Sequence, residues 1–305
     1  MAFVPNDQII IATRGSELAL WQAHFLQAEL QKLGYTSSLN IIKTKGDKIQ
    51  DLSFDKIEGK GFFTKEIEDA LLDGSAHIAV HSMKDLPTDN PDGLVLGAVS
   101  YREDARDCLL IRKTSIDVSK TLRLKADAII GTSSSRRKSQ ILHLREDFVV
   151  KDLRGNVPTR INKLRDGQYD GILLASAGIT RLQLDLSDLE VIHLHPREFV
   201  PAPAQGVLAF QCREDDLATR KILLNLHHAD VAACTNVERK VLKMMGGGCH
   251  MPLGVFVEKD MAGNFRAYAA MAEEVGQPLK KVSIAQTTTD GLSDQLFKAL
   301  KNNQE

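Results

Sequence analysis

Two segments of this chain repeat one pattern, ALLDGSAHIAVHS at residues 70–82 and KLRDGQYDGILLAS at residues 163–176. In each segment a helical pattern ends at an Asp-Gly pair, and a short apolar run then leads into a polar turn. Glycine just after the last helical residue is a common helix stop, and a short apolar run between turn signals is typical of a buried strand. The repeat therefore predicts two similar α/β lobes.

The rest of the chain also alternates short apolar runs with helical patterns, which favours an α/β architecture. A helix is predicted over Glu17–Leu33, with its apolar residues on one face. Because open α/β sheets bind ligands at the carboxyl ends of their strands, we expect a cleft between the two lobes. Strands are predicted at Ile9–Ala12, Leu39–Lys43, His77–Val80, Ala128–Ile130, Phe148–Lys151, Gly171–Leu174 and Val207–Gln211.

The pattern is interrupted between the lobes and changes after them. Charged residues and prolines break it at Tyr101–Asp107 and Pro196–Pro203, which we predict to be crossovers between the lobes. Farther along, a helix over His227–Met245, a glycine loop, alternating strands over Val255–Ile284 and a final helix over Leu292–Leu300 follow one another. This change of character indicates a third, smaller α+β domain.

The composition is that of a soluble globular protein. The chain has 305 residues, of which 43% are hydrophobic and 26% charged, enough for two or three domains with their own cores. Its N-terminal apolar run is too short for a signal peptide or a membrane span. The four cysteines, Cys108, Cys212, Cys234 and Cys249, are far apart, so they suggest neither a disulfide framework nor a metal site. We expect a cytoplasmic protein with no metal and no membrane partner.

Positive charge is concentrated in one part of the chain. The formal net charge is −1, yet between Gly131 and Arg165 nine basic residues face three acidic ones. Such a segment predicts contact with anions. A solvated helix face is the alternative, because basic runs are often ordinary surface.

A turn within this basic segment, GTSSSRRK at residues 131–138, carries the donors that an anion requires. Backbone N–H groups at a helix start, serine hydroxyls and two arginines converge there. A serine that merely caps the helix is the alternative, but capping leaves Arg136 and Arg137 unexplained.

A second turn, LRGNVPTR at residues 153–160, repeats this design, with Asn156 as the expected N-cap. Arg154 and Arg160 could reach the same cleft, and Arg14 follows the first strand in a similar position. The chain has no phosphate-loop or dinucleotide motif. Since arginine binds carboxylates as well as phosphates, many arginines at separate turns suit a ligand with many carboxylates.

Two further segments carry chemistry of their own. Asp85 follows the strand at His77–Val80 and could stabilise a developing cation, although an aspartate at this place can also simply brace a turn. The segment Asp55–Phe63 is rich in glycine and lysine, and it is a candidate lid to which Lys56 and Lys60 add positive charge.

The run GGGCHMP at residues 246–252 places one thiol on a backbone almost without side chains. Glycine lets a ligand approach the main chain closely, so the Cys249 thiolate has room to react. A buried, inert cysteine in a loop is the alternative.

Taken together, these residues resemble one family, porphobilinogen deaminase, also called hydroxymethylbilane synthase, over essentially the whole chain. The departures from its pattern are Ser135, Ala105 and His250, and none of them removes a charged or nucleophilic group. The matching motifs are Ala12-Thr13-Arg14, Gly59-Lys60-Gly61, His81-Ser82-Met83-Lys84-Asp85, Gly131-Thr132-Ser133-Ser134, Leu153-Arg154-Gly155-Asn156, Gln205-Gly206 and Gly247-Gly248-Cys249.

The resemblance implies a monomeric transferase of tetrapyrrole and haem biosynthesis. Such an enzyme joins four porphobilinogen molecules head to tail on a dipyrromethane cofactor, loses ammonia at each addition, and releases hydroxymethylbilane by hydrolysis. The cofactor is expected to be bound to Cys249 through a thioether. The implied fold has two lobes like type II periplasmic binding proteins and a cofactor-bearing third domain. The implied domains are residues 1–102 with 202–222, residues 106–198, and residues 226–305.

The resemblance also assigns roles to residues. Asp85 would bind pyrrole N–H groups and stabilise the azafulvenium cation formed on deamination, and Phe63 would stack on the incoming ring. The catalytic residues would be Asp85, Lys84 and Arg14. The cofactor-binding residues would be Cys249, Asp85, Lys84, Ser82, Thr132, Ser134, Arg136, Arg137, Arg154 and Gly155. The substrate-binding residues would be Arg14, Gln22, Phe63, Arg154, Arg160 and Arg181, with Lys56 and Lys60 on the lid.

Other functions explain less of the sequence. A non-catalytic two-lobe protein that binds a polycarboxylate accounts for the arginines but leaves the glycine–cysteine loop idle. Nucleic-acid binding is disfavoured because few aromatic residues for base stacking lie near the basic segment. A thiol hydrolase using Cys249 and His250 is conceivable, but adjacent residues rarely orient as nucleophile and base.

Overall fold

The computed structural model describes residues 8–44, 64–246 and 251–302. These residues form two compact units. The first unit holds residues 8–44, 64–103 and Val207–Ala232, and we call it the first lobe. The second unit holds Asp104–Gly206, which we call the second lobe, together with the residues that follow position 232. The finer division into three domains stays a prediction.

The secondary structure alternates helices and strands as predicted. The helices of the described residues are α1 Glu17–Lys32, α2 Lys65–Leu72, α3 Ser135–Leu144, α4 Val157–Arg165, α5 Ser176–Leu182, α6 Leu217–Leu224, α7 Ala229–Met244 and α8 Leu292–Lys301. The strands are β1 Ile9–Arg14, β2 Ser37–Ile42, β3 Ile78–Ser82, β4 Leu94–Val99, β5 Asp107–Arg112, β6 Ile129–Gly131, β7 Val149–Lys151, β8 Gly171–Ala175, β9 Leu189–His193, β10 Leu208–Arg213, β11 Leu253–Lys259, β12 Phe265–Met271 and β13 Lys280–Gln286.

The two lobes have sheets of the same design. The first lobe has the strand order β2-β1-β3-β10-β4, and the second has β7-β6-β8-β5-β9. In each sheet four strands run in the same direction, and the fourth strand in the order is antiparallel to both of its neighbours. That antiparallel strand, β10 or β5, is the first strand after the chain enters the lobe from the other unit. The predicted fold class, two type II lobes with a further α+β part, is confirmed.

The repeated sequence pattern occupies the same place in both lobes. Asp73 is the C-cap of helix α2 and Asp166 that of helix α4, and each is followed by a glycine in the left-handed region, Gly74 at φ +81° and Gly167 at φ +80°. A side chain at such an angle would be strained. The strand that follows, β3 or β8, has four buried residues in succession. The prediction drawn from the repeat is therefore confirmed.

Each lobe has its own apolar core. Helix α1 begins at the N-cap Ser16, whose Oγ accepts a hydrogen bond of 3.4 Å from the Ala19 amide. This helix buries Leu26 and Leu30 against strands β3 and β10. In the second lobe, Ile141 of α3 packs on the buried residues of β5, β6 and β8. Burying a leucine or isoleucine side chain contributes about 1.5–3 kcal/mol, so these faces fix the helices on their sheets.

The C-terminal part of the second unit is a three-stranded antiparallel sheet, β11-β12-β13, packed against α7 and α8. This confirms the predicted helix, strands and final helix. The strands β4, β5 and β9 were not predicted from the sequence. No helix in the described part of the chain is long and apolar enough to cross a bilayer.

Candidate functional site

Two loops meet at one edge of the second lobe's sheet. Strands β6 and β7 are parallel neighbours, with Gly131 opposite Lys151. Their carboxyl ends therefore lie side by side and lead into α3 and α4. The Ser133 hydroxyl joins the two loops, since its Oγ donates to the Leu153 carbonyl and accepts from the Leu153 amide, both at 3.0 Å.

The first loop prepares the N-terminus of α3. Ser134 is the N-cap and accepts from the Arg137 amide at 3.4 Å, while its own amide donates to Thr132 Oγ1 at 3.3 Å. The first turn of α3 has no acidic residue. Backbone N–H groups at the start of the helix and the helix dipole favour an anion there. Gly131 is required by packing, because a Cβ would lie 2.8 Å from the Tyr169 ring.

The second loop is built in the same way before α4. Gly155 has φ +115°, and a Cβ there would lie 2.7 Å from the Thr159 side chain, so only glycine fits. Asn156 caps the helix by accepting from the Thr159 amide at 2.9 Å. The half-buried Arg154 follows β7, and Arg160 Nε donates to the Gly155 carbonyl at 2.7 Å. The structure thus brings Thr132, Ser134, Arg154, Gly155 and Arg160 to adjacent strand ends.

Arg136 and Arg137 are directed into the lobe rather than along its surface. Their side chains are buried, and both bind the carboxylate of Asp107, the first residue of β5. Arg136 Nη1 lies 2.6 Å from Asp107 Oδ2, and Arg137 Nη2 lies 2.7 Å from Oδ1. Burial alone would raise the pKa of Asp107, but the two guanidiniums outweigh it and hold that pKa well below its usual range. The pair is therefore part of a buried ionic cluster.

Three further basic residues of the segment 131–165 form ion pairs with aspartates of the second unit. These pairs are more exposed than the Asp107 cluster, and such pairs contribute little to stability because water screens them. They are Lys138–Asp152 at 2.7 Å, Arg145–Asp147 at 2.6 Å and Arg165–Asp188 at 2.8 Å. The predicted contact with anions therefore applies to the residues at the ends of β6 and β7 and not to the whole basic segment.

Arg181 occupies another part of the second unit. It lies in α5, is 6% exposed, and its Nη2 donates to the Gly206 carbonyl at 2.7 Å. That bond ties α5 to the segment preceding β10.

In the first lobe the predicted residues lie at the ends of two parallel strands. Arg14 is the half-buried last residue of β1, and Ser82 is the last residue of the neighbouring β3. Gln22 Nε2, on α1, donates to Ser82 Oγ at 2.8 Å. A single 3-10 turn, Met83–Asp85, follows β3 and leaves the Asp85 side chain exposed to solvent.

Below the ends of β1 and β3 lies a buried chain of hydrogen-bonded polar groups that sequence reasoning did not find. Glu68 Oε1 accepts from Gln211 Nε2, and Gln211 Oε1 lies 3.2 Å from His81 Nε2. The pKa of His81 is lowered to about 4, because burial and the nearby Arg14 together outweigh the opposing effect of the bond to Gln211. The imidazole is therefore neutral near pH 7, and its Nε2 donates to Gln211.

Four predicted residues lie outside the described residues: Phe63, Lys56, Lys60 and Cys249. Two other cysteines, Cys108 and Cys212, are buried. Burial raises the pKa of Cys108 to about 12 and that of Cys212 to about 11. Neither thiol is therefore reactive near neutral pH.

Asp107 is a polar residue of the second unit to which sequence reasoning gave no role in the site, and it binds Gln205, which was noted only as part of a family motif. Gln205 Nε2 donates to the Ala105 carbonyl at 2.8 Å and to Asp107 Oδ1 at 3.2 Å. Both residues are fully buried. A local signal did exist for Asp107, because a charged residue there directly precedes the apolar run Cys108–Ile111.

The arrangement can bind carboxylates. Hydroxyls, helix N-terminal amides and guanidiniums at the ends of β6 and β7 are hydrogen-bond donors, and they match several carboxylate groups on one ligand. In the first lobe, Arg14 offers a cation and Asp85 an exposed carboxylate at neighbouring strand ends.

Comparison with known proteins identifies the chain. A family model described as "Porphobilinogen deaminase, dipyromethane cofactor binding domain" matches residues 9–221. The porphobilinogen deaminase of a Nitratiruptor species is 46% identical over 249 residues, covering 81% of this chain and 78% of the relative. That of Sulfurimonas denitrificans is 47% identical over 251 residues, covering 81% and 78%.

Among solved structures, the second substrate-binding domain of an amino acid ABC transporter from Streptococcus pneumoniae is similar at a TM-score of 0.44 with 12% identity. The match covers 79% of this chain and 95% of that domain. The family is instead established by the family model and by the identity to the curated relatives. The chain belongs to the porphobilinogen deaminase family.

Proposed function

We propose that this protein is a transferase of porphyrin biosynthesis that joins four porphobilinogen molecules head to tail, loses ammonia at each addition, and releases hydroxymethylbilane by hydrolysis. The observation that carries the proposal is the pair of capped helix N-termini at the ends of β6 and β7, with Arg154 and Arg160 beside them. A polycarboxylate-binding protein without catalysis is not favoured, because the family is one of enzymes.

The residues present fit the dipyrromethane cofactor. This group bears acetate and propionate side chains, and the donors at the second lobe's sheet edge are the chemical complement of carboxylates. Thr132, Ser134, Arg136, Arg137, Arg154 and Gly155 would hold it, with a thioether to Cys249. When bound, the dipyrromethane supplies the primer to which substrate units are added.

Asp85 is proposed as the catalytic carboxylate. Its exposed position on the turn after β3 leaves it accessible to a pyrrole N–H and to the positive charge that develops as ammonia departs. Lys84 precedes it on the same turn, and Arg14 at the end of β1 would bind a substrate carboxylate. The bond between Gln22 and Ser82 fixes the end of β3, from which this turn begins.

The remaining roles follow the family resemblance. Arg154, Arg160 and Arg181 would bind carboxylates of the substrate and growing chain, and Gln22 would contact substrate. Phe63 would stack on the incoming ring, and Lys56 and Lys60 would act on the lid. We further propose a cytoplasmic monomer. The buried free thiols of Cys108, Cys212 and Cys234 are typical of a reducing compartment.

An intact-protein mass spectrum tests the proposal most directly. The purified protein should be heavier than its sequence by one covalent dipyrrole, and it should release ammonia from porphobilinogen. Cys249→Ala should fold, lack the added mass and be inactive, whereas Cys108→Ala should keep the added mass. A normal adduct or normal turnover in Cys249→Ala would contradict the assignment.

A second arm tests the strand-end arginines. Arg154→Leu should reduce adduct occupancy and turnover, because a ligand carboxylate would lose its partner; such losses correspond to about 2–5 kcal/mol. Arg165→Leu is the matched control, since Arg165 forms an ion pair with the exposed Asp188. Equal behaviour of the two variants would show Arg154 to be ordinary surface charge.

A further inference from the structure

The buried cluster around Asp107 has a geometry that surface ion pairs lack. Asp107 Oδ1 accepts from Arg137 Nε at 2.9 Å and Nη2 at 2.7 Å, while Oδ2 accepts from Arg136 Nη1 at 2.6 Å. Gln205 Nε2 at 3.2 Å and Arg136 Nη2 at 3.3 Å also donate to Oδ1. Asp107 is 0% exposed, and the arginines are 5% and 7% exposed. The carboxylate is thus enclosed by donors on several sides.

The guanidiniums are also fixed by the main chain. Arg136 Nη1 donates to the Val200 carbonyl at 2.9 Å, and Arg137 Nη1 donates to the Leu173 carbonyl at 3.1 Å. Each guanidinium is therefore held at two places, by Asp107 and by a backbone oxygen. Arginines held in this way lose little further freedom when a ligand binds.

The charges of the cluster do not cancel. One carboxylate against two guanidiniums leaves a net charge of +1 in a buried place. Burial lowers the pKa of Arg136, and the like charge of Arg137 adds to this effect, while Asp107 opposes both. Two guanidiniums also carry more N–H donors than one carboxylate can accept. The cluster is therefore complementary to one further anionic group.

We propose that Asp107 is a positioning residue for the cofactor: it orients Arg136 and Arg137 and reduces their joint charge to that of a single cation, so that they accept one carboxylate of the dipyrromethane. This inference rests on the proposed function, in which the two arginines bind the cofactor. Asp107 itself does not touch the reacting atoms. It acts through the two guanidiniums, whose like charges would push them apart if the carboxylate were absent.

The test compares Asp107→Asn, Arg137→Gln and the double variant. For each, adduct occupancy is measured by intact mass, its rate of formation by incubating the adduct-free fraction with porphobilinogen, and folding by thermal unfolding. Misplaced arginines should slow adduct formation per folded molecule about 10- to 100-fold in Asp107→Asn. The double variant again carries a net buried charge of +1, so it should fold even if Asp107→Asn does not.

Because Asp107 acts through both guanidiniums, the effects of Asp107→Asn and Arg137→Gln on adduct formation should overlap, and the double variant should be slowed by less than the product of the two single effects. Asp107→Glu should recover part of the rate. Asp188→Asn, which removes an exposed carboxylate of the same unit, is the control and should form the adduct normally. Multiplying effects, or unchanged adduct formation in folded Asp107→Asn, would overturn the inference alone. If the unmodified protein takes up no dipyrrole, the proposed function fails and this inference fails with it.

Discussion

The two lobes share one strand order but bury different polar chemistry. In the first lobe, Glu68, Gln211 and a neutral His81 form a chain that runs under the end of β3. In the second lobe, Asp107 binds two guanidiniums. The same backbone design therefore supports a hydrogen-bonded chain of an acid, an amide and an imidazole in one lobe and a carboxylate between two guanidiniums in the other. Topology does not decide the chemistry; the identity of a few buried side chains does.

Replacing one buried carboxylate by an amide in each lobe should give the largest difference in stability between the two lobes. Asp107→Asn leaves two buried cations without a carboxylate and should destabilise the protein by about 3–5 kcal/mol. Glu68→Gln keeps an acceptor for Gln211 and should cost only about 0.5–1.5 kcal/mol, the usual value of one hydrogen bond. Urea unfolding of the two variants measures both losses. Equal losses would mean that the lobes do not differ as described.

A second substitution separates stability from chemistry. Asp85→Asn changes an exposed side chain, so unfolding should be unaffected, whereas turnover should fall about 100- to 1000-fold because a preorganised charge is lost. Single-turnover ammonia release and thermal unfolding are measured on protein whose adduct is confirmed by mass. Asp85→Glu keeps the charge and should retain some activity. A destabilised Asp85→Asn with normal turnover per folded molecule would restore a purely structural role.

Acid should affect the first lobe before the second. The folded-state pKa of His81 is about 4, below its unfolded value of about 6.5, so protons favour the unfolded state as the pH falls through this window. The loss can reach about 3 kcal/mol. The pKa of Asp107 is also lowered, so its contribution is present above its unfolded value, near 3.8, and is lost only at lower pH.

Hydrogen exchange measured by lobe at pH 7 and pH 5 tests this difference. Protection should fall first in the strands of the first lobe, and His81→Gln should remove the difference because its side chain does not titrate. A parallel loss in both lobes, or a difference that persists in His81→Gln, would show that another group is responsible.

The smallest effect concerns thiols in equivalent strands. Cys108 lies in β5 and Cys212 in β10, the antiparallel strands of the two sheets, and burial raises both pKa values to about 12 and 11. Neither should react with iodoacetamide at pH 8 in the folded protein, and both should react after unfolding. Labelling of only one folded-state thiol, located by peptide mass mapping, would reveal a difference in packing between the lobes.

The sequence predicts those features that depend on near neighbours. The Asp-Gly helix stops and the strands after them were read correctly because glycine conformation and apolar runs are local signals. Strand β4 was missed because Gly97 weakens a strand pattern. Strand β9 was missed because Glu190 and His193 interrupt its apolar run. For β5, the interruption that marked the crossover extended to its first residue, Asp107.

The candidate site was predictable only in part for the same physical reason. The serine- and glycine-containing turns at residues 131–138 and 153–160 lie where they were expected. The partner of Arg136 and Arg137 was not foreseen, because Asp107 is 29 and 30 residues away in the chain and becomes a neighbour only in the folded sheet. The partner of His81 is 130 residues distant. Contacts at such separation leave no periodic signal.

The position of β10 in the first sheet has a consequence for synthesis on the ribosome. This strand lies between β3 and β4, yet it is translated only after the whole second lobe. The second lobe is continuous in sequence and can fold as it emerges, whereas β3 and β4 must wait as open strand edges. At about 5–20 residues per second the delay lasts several seconds. During that interval the nascent first lobe has unpaired strand edges and is exposed to edge-to-edge aggregation.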